Sequence, residues 1–161
     1  SSADYFRIRY DIERSMRDSV QVIKETEEAF AQTFGRKYSW TEEYRCEDAD
    51  VLILAMGTLG KEAEVAVDIL RNEGVKAGSM RVRWIRPFPA LNLGDRELVV
   101  IDRNYSFGFG GILATSIRAK TGKECYNVIA GLDGQEVTYH DIAGFVRDRR
   151  IGEEFWFGVD A

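Results

Sequence analysis

VLILAMGTLGKEAEVAVDILRNEG (51–74) holds a strand, a turn and a helix in one run. Its first five residues are apolar without interruption, short enough for a strand buried on both faces. Gly57 and Gly60 break the run. Beyond them Ala63, Val67 and Leu70 recur at helical spacing, and Gly74 stands where a helix C-terminus is closed. A doubly buried strand that feeds a helix belongs to a parallel sheet with helices packed against it.

The alternation continues downstream. SMRVRWI (79–85) sets Met80, Val82 and Trp84 against Arg81 and Arg83, a strand pattern. RPFPALNLGDR (86–96) carries both prolines of the chain and is expected as a loop. ELVVID (97–102) is a strand, ILATSIRAK (112–120) a helix, and YNVIAG (126–131) a further strand. LDGQEVTYHDIAGFVRDRR (132–150) turns and enters a last helix, and Phe155, Trp156 and Phe157 make the tail too apolar to stand free.

Upstream, Ile12, Met16, Val20, Ile23, Phe30 and Phe34 form one apolar stripe, which predicts a helix over 11–34 closed by Gly35. GRKYSWTEEYRCEDA (35–49) is polar and is expected as an irregular connector that packs through Tyr38, Trp40 and Tyr44. The expectation is an α/β fold with a mainly parallel sheet behind an N-terminal helix. Residues 1–45 are expected to form a lead-in helix and connector from an upstream domain, and residues 46–161 the α/β domain.

With 161 residues the chain suffices for one domain with a real core. Its 27 acidic and 22 basic side chains leave a net charge of −5, which gives no reason to expect nucleic acid as a partner. No apolar run reaches the length of a membrane span, and the opening SSADYFRIRY carries no signal-peptide core. The two cysteines, Cys46 and Cys125, are far apart and read as small buried hydrophobes of a cytoplasmic chain. With one histidine and no Cys-x-x-Cys pair, no zinc site or iron–sulfur cluster is expected within this chain.

Two glycine-rich turns invite a nucleotide reading. GTLGK (57–61) is two residues too short for a phosphate-binding P-loop, and Glu62 stands where that loop needs a hydroxyl. NYSFGFGGIL (104–113) matches the first two glycines of a dinucleotide fingerprint but has Leu113 at the third, and it follows the third strand of the core. Ser106, Gly108, Gly110 and Gly111 therefore read either as a structural turn or as a backbone cradle for an anion at a helix start. Asp102, at the strand end, is expected to accept backbone or arginine hydrogen bonds that fix this loop. Arg81, Arg83 and Arg86 read as ion-paired cations, or as a docking surface for an acidic partner. His140, near Thr138 and Asp141, reads as a capping or packing residue. No catalytic residue and no metal ligand is assigned.

EDADVLILAMGTLGKEAEVAVDILRNEGVKAGSMRVRWIRPFP (47–89) and LVVIDRNYSFGFGGIL (98–113), preceded by FGRKYSWTEEY (34–44), resemble the C-terminal part of the alpha subunit of pyruvate:ferredoxin oxidoreductase and its 2-oxoacid relatives. The resemblance covers roughly residues 30–147, and its most specific parts are the Arg-Pro-Phe-Pro turn and the Asp102-to-Gly111 segment. It implies a transketolase C-terminal-like domain, a three-layer α/β/α sandwich. It also implies an enzyme that cleaves a 2-oxoacid on thiamine diphosphate with magnesium, reduces ferredoxin through iron–sulfur clusters and forms an acyl-CoA from coenzyme A.

In such an enzyme this domain holds no cofactor by itself. It buttresses the upstream alpha-subunit domain and contacts beta, gamma and delta-type subunits, with Tyr38, Trp40, Arg86, Trp156 and Phe157 as interface candidates. The family's usual helix between RPFP and the next strand is replaced here by the short ALNLGDR (90–96). Two other assignments share the sequence pattern: the matching domain of a 2-oxoacid dehydrogenase beta subunit, and a free-standing flavodoxin-like binding module.

Overall fold

A computed structural model describes residues 2–159. An N-terminal helix, α1 (Ser2–Phe34), leads into β1 (Thr41–Tyr44) and β2 (Val51–Met56), and α2 (Leu59–Asn72) and β3 (Ala77–Val82) follow. The chain continues through β4 (Glu97–Asp102), α3 (Ile112–Thr121), β5 (Tyr126–Ile129), α4 (Tyr139–Arg147) and β6 (Glu154–Trp156). The six strands form one sheet in the order β1-β3-β2-β4-β5-β6. All neighbours are parallel except β1, which runs antiparallel to β3 at one edge.

The central strands are apolar on both faces because both faces are covered. Val51, Ile53 and Ala55 of β2 point into a core shared with Ala63, Val67 and Leu70 of α2 and with Ile142 and Val146 of α4. Leu52 and Leu54 point the other way, against Leu113, Ala114 and Ile117 of α3. The result is the three-layer α/β/α sandwich that the resemblance implies, with α2 and α4 on one side and α3 on the other. Four hydrophobic residues of 86–96 also seat on this domain: Leu93 is buried on the α3 side, where Phe88 and Leu91 pack beside it, and Pro89 is buried too.

Three elements differ from the sequence expectation. The first helix begins at Ser2, nine residues before the expected start, and none of its residues is buried. Its apolar stripe passes from half-buried Val20, Ile23 and Phe30 to exposed Ile12 and Met16. The third strand ends at Val82, so Trp84 leaves the sheet and is 41% exposed. The connector is not irregular throughout, since residues 41–44 extend the sheet.

The reason for β1 lies in its register. Glu42 faces Arg81 across the two strands, and opposite charges so placed support strand pairing. Glu42 accepts from Arg81 at 3.1 Å, from Arg83 at 2.6 Å and from Lys61 of α2 at 2.7 Å. One carboxylate thus joins edge strand, sheet and helix, and Arg81 and Arg83 are both ion-paired. Arg45, at φ 53, turns the chain out of the strand, and its guanidinium meets Asp68 at 2.9 Å.

The hydrogen bond from Lys61, opposed by partial burial, holds the Glu42 carboxyl below its ordinary 4.5. A depressed carboxyl adds stability that is present above its unfolded value and is lost as pH falls through the folded one. Glu42→Gln is therefore expected to cost about 1 kcal/mol at neutral pH, at the upper end for a part-exposed ion pair. Urea unfolding of the two proteins should show that difference at neutral pH and little of it well below 4.5.

Candidate functional site

β3 lies on one side of β2 and β4 on the other, so the winding direction reverses between β2 and β4. Ligands of α/β sheets bind at such reversals, beyond the carboxyl ends of the strands. Two loops bound this end: the turn from Gly57 into α2, and the glycine loop from Asp102 into α3.

Asp102 organises the second loop. Its side chain is buried, and one oxygen accepts from the Leu113 amide at 2.9 Å. The other accepts from the Ala114 amide at 3.0 Å and from the Asn127 side-chain amide at 3.1 Å. The first amide of the helix, that of Ile112, is taken by Asn104 Oδ1 at 3.0 Å. A helix start attracts anions through its free N–H groups and its dipole. Here the anion is the chain's own carboxylate. Burial pushes the Asp102 carboxyl above its ordinary 3.8, opposed by the amide bonds from Ala114 and Leu113.

Gly111 is required by this closure. A Cβ on it would strike the Asp102 carboxylate and Asn127 Oδ1. Ser106 and Gly110 pair back to back, with backbone bonds of 3.0 and 2.9 Å, and close a small hairpin. Gly108, at φ 76, forms its tip and Gly110, at φ 117, its return. The tip presents Phe107 and Phe109, which are 89% and 68% exposed. The four sequence candidates thus lie together, but the amides at the helix start are already bonded from within the chain. The expected role of Asp102 in fixing the loop is observed with backbone and Asn127 donors, and no arginine takes part.

Asn127, Asn104 and the exposed phenylalanines were not picked out from the sequence. Asn127 carried a signal, because it is a polar residue inside an otherwise apolar, fully buried strand. Its amide also donates to Val100 O at 3.2 Å.

The other candidates are structural in place. Lys61 is held by Glu42 and Glu64, at 2.7 Å each. The cap of α4 is built by Thr138 and Asp141 as a reciprocal capping box, so His140 is not the capping residue; its ring lies 4.5 Å from Tyr139. Both cysteines are free and buried, and burial pushes the Cys125 thiol up to about 11, which leaves it unreactive at neutral pH. Among the described residues no three histidine, cysteine or acidic side chains come together as a metal site. No described helix is long and apolar enough to cross a membrane.

The interface candidates divide. Tyr38 is exposed, with the Arg83 guanidinium 5.4 Å from its ring centroid. Trp40 is half-buried, and its indole N–H has no hydrogen-bond partner among the described residues. Trp156 and Phe157 are also half-buried: Trp156 sits 4.6 Å from Tyr105, and Phe157 sits 5.1 Å from Phe145. Arg86 is exposed and forms no ion pair among the described residues.

Residues 49–142 match the family model described as pyruvate:ferredoxin oxidoreductase core domain II. Pyruvate synthase subunit PorA of Methanothermobacter thermautotrophicus is 37% identical over 96% of this chain and 43% of its own length. Ketoisovalerate oxidoreductase subunit VorA of Pyrococcus horikoshii is 38% identical over 92% of this chain and 40% of its own length. The chain therefore spans less than half the length of these curated relatives. Among solved structures, 2-oxoglutarate:ferredoxin oxidoreductase from Magnetococcus marinus, with 2-oxoglutarate, coenzyme A and succinyl-CoA bound, aligns at a TM-score of 0.54. It is 23% identical, and the alignment covers 74% of this chain and 21% of that one.

Two substitutions report on the loop. Gly111→Ala keeps an ordinary backbone conformation but forces a methyl into the carboxylate, and is expected to cost about 1–3 kcal/mol. Asp102→Asn sets an amide against an amide N–H, with a cost of about 1–3 kcal/mol. Because the Asp102 carboxyl is raised, the folded chain holds the proton more tightly than the unfolded chain. Its contribution then falls as pH rises from 3.8 through the raised value. Chemical denaturation of wild type and Asp102→Asn should show the largest gap near pH 4 and a smaller one at about pH 7.

Proposed function

Since the chain belongs to the pyruvate:ferredoxin oxidoreductase core domain II family, we propose that it serves as a structural and assembly domain of the alpha subunit of a 2-oxoacid:ferredoxin oxidoreductase. Similarity to PorA over 96% of the chain carries this reading. The whole enzyme would oxidatively decarboxylate a 2-oxoacid to an acyl-CoA and reduce ferredoxin. Thiamine diphosphate, magnesium, iron–sulfur clusters and coenzyme A would be held outside this domain, in the upstream part of the subunit and in beta, gamma and delta-type partners. Identities of 37% to a pyruvate-named and 38% to a ketoisovalerate-named subunit support a small 2-oxoacid as the substrate class.

The chain's own residues support a buttressing role. The one carboxylate buried among the described residues is spent on tying β4, α3 and β5 together, and the amides at the start of α3 are bonded internally. The division into residues 1–45 as lead-in and 46–161 as the α/β domain belongs to this reading, with β1 as the place where the lead-in joins the sheet. The same family assignment favours ferredoxin, rather than a lipoyl domain or a free-standing module, as the setting of the domain.

The protein purified from its source cells, with whatever accompanies it, tests the reading. The expected result is 2-oxoacid- and coenzyme A-dependent reduction of ferredoxin by a complex that contains thiamine diphosphate and iron–sulfur clusters. Reduction of a lipoyl domain in place of ferredoxin, or a lone chain without oxoacid-dependent activity, would overturn it. Within that complex, Trp40→Ala and Trp156→Ala are each expected to lower stability or subunit retention by about 3–5 kcal/mol at most, less in proportion to their half-burial. Unchanged thermal stability and subunit content in both variants would show that neither aromatic anchors an interface.

A further inference from the structure

A groove of about 780 Å³ runs between the N-terminal half of α1 and the α3 side of the domain. Ile12 and Met16 form one wall, and Ile85, Phe88 and Ile112 form the other. Phe109, from the tip of the glycine loop, also lines it and is largely exposed. The groove exists because the apolar stripe of α1 leaves the domain after Val20, while the domain's own surface beneath it stays partly apolar. A 33-residue helix with no buried residue and exposed Tyr5, Ile8, Ile12 and Met16 on one stripe gains little from this contact alone.

The rim is cationic in a chain whose net charge is −5. Arg17, Arg86 and Lys120 line it, with Glu13 as the only carboxylate among the lining residues. Glu13 is matched by Arg17 at 2.9 Å. Arg86 and Lys120 are exposed and form no ion pair among the described residues, whereas Arg81 and Arg83 nearby are both taken by Glu42. Of the three rim cations, Arg17 is matched by Glu13, and Arg86 and Lys120 are the two without an ion pair among the described residues. A hydrophobic floor with a charged rim is the anatomy of a protein interface, and the rim sign selects the partner.

We propose that this groove docks an acidic amphipathic segment of another subunit of the assembly. Aliphatic or aromatic side chains of that segment seat between Ile12, Met16 and Ile112, and its carboxylates meet Arg86 and Lys120. The proposal rests on the reading of this domain as an assembly domain and names the chemistry of one of its contacts.

The test uses the assembled oxidoreductase. A photo-crosslinking benzoylphenylalanine replaces Phe109, and the cross-linked peptides are identified by mass spectrometry. The expected product joins Phe109's position to a carboxylate-bearing segment of another subunit. In parallel, Arg86→Glu with Lys120→Glu should weaken association of that subunit about tenfold or more at low salt, with the deficit shrinking as salt rises toward about 1 M. Both side chains are exposed, and the milder pair Arg86→Gln with Lys120→Gln should give a smaller loss in the same direction.

Cross-links confined to the same subunit, to a second copy of it or to lipid would overturn the proposal. So would unchanged association of the charge-reversed complex. If the wild-type complex still shows ferredoxin reduction, only the groove is refuted and the assembly-domain reading stands. If no such complex exists, the reading itself has failed.

Discussion

A carboxylate withdrawn from water needs hydrogen-bond donors around it, and Asp102 finds its donors in two other elements. Two backbone amides of α3 and the Asn127 side chain of β5 converge on the end of β4. A buried charge is tolerated only with such partners, so the donors cannot be moved independently. Gly111 follows from this, because no side chain fits between the helix start and the carboxylate. The small hairpin of Ser106 to Gly110 follows in turn, since the chain must double back to reach Gly111. The loop therefore closes on its own carboxylate, and what it offers outward is two phenylalanine rings.

Much of this was legible beforehand, for local reasons. Strands β2 and β4 announce themselves as unbroken apolar runs because helices cover both of their faces. The helices show in the spacing of Ala63, Val67 and Leu70, and in that of Ile142 and Val146. The glycines of the second loop were readable as a place of close approach. What approaches was not, because an internal carboxylate and an outside anion ask the same backbone for the same amides. The family resemblance was carried by these same loops.

The features that stayed hidden are non-local. Thr41 to Tyr44 has two acids in four residues and no strand pattern of its own. It becomes a strand because Glu42 meets Arg81 and Arg83, far along the chain, and Lys61 on a helix between them. The arginines looked like candidates for an outside partner for the same reason: their carboxylate was upstream in a segment that read as a connector. Trp156 and Phe157, read as a tail too apolar to stand free, are held half inside the domain by β6 and Phe145, contacts that a sequence does not show.

The length of α1 has a mechanical meaning. At about 1.5 Å per residue, a helix of 33 residues is a rod of about 50 Å. Half-buried Val20, Ile23 and Phe30 all lie beyond its midpoint, and Gly35, at φ 67, sits just past its C-terminal end. A rotation of about 5° around Gly35 would sweep the far tip through about 4 Å, nearly the rise of one helical turn. The rod is thus a lever hinged at its C-terminal end, and its length magnifies any small shift there.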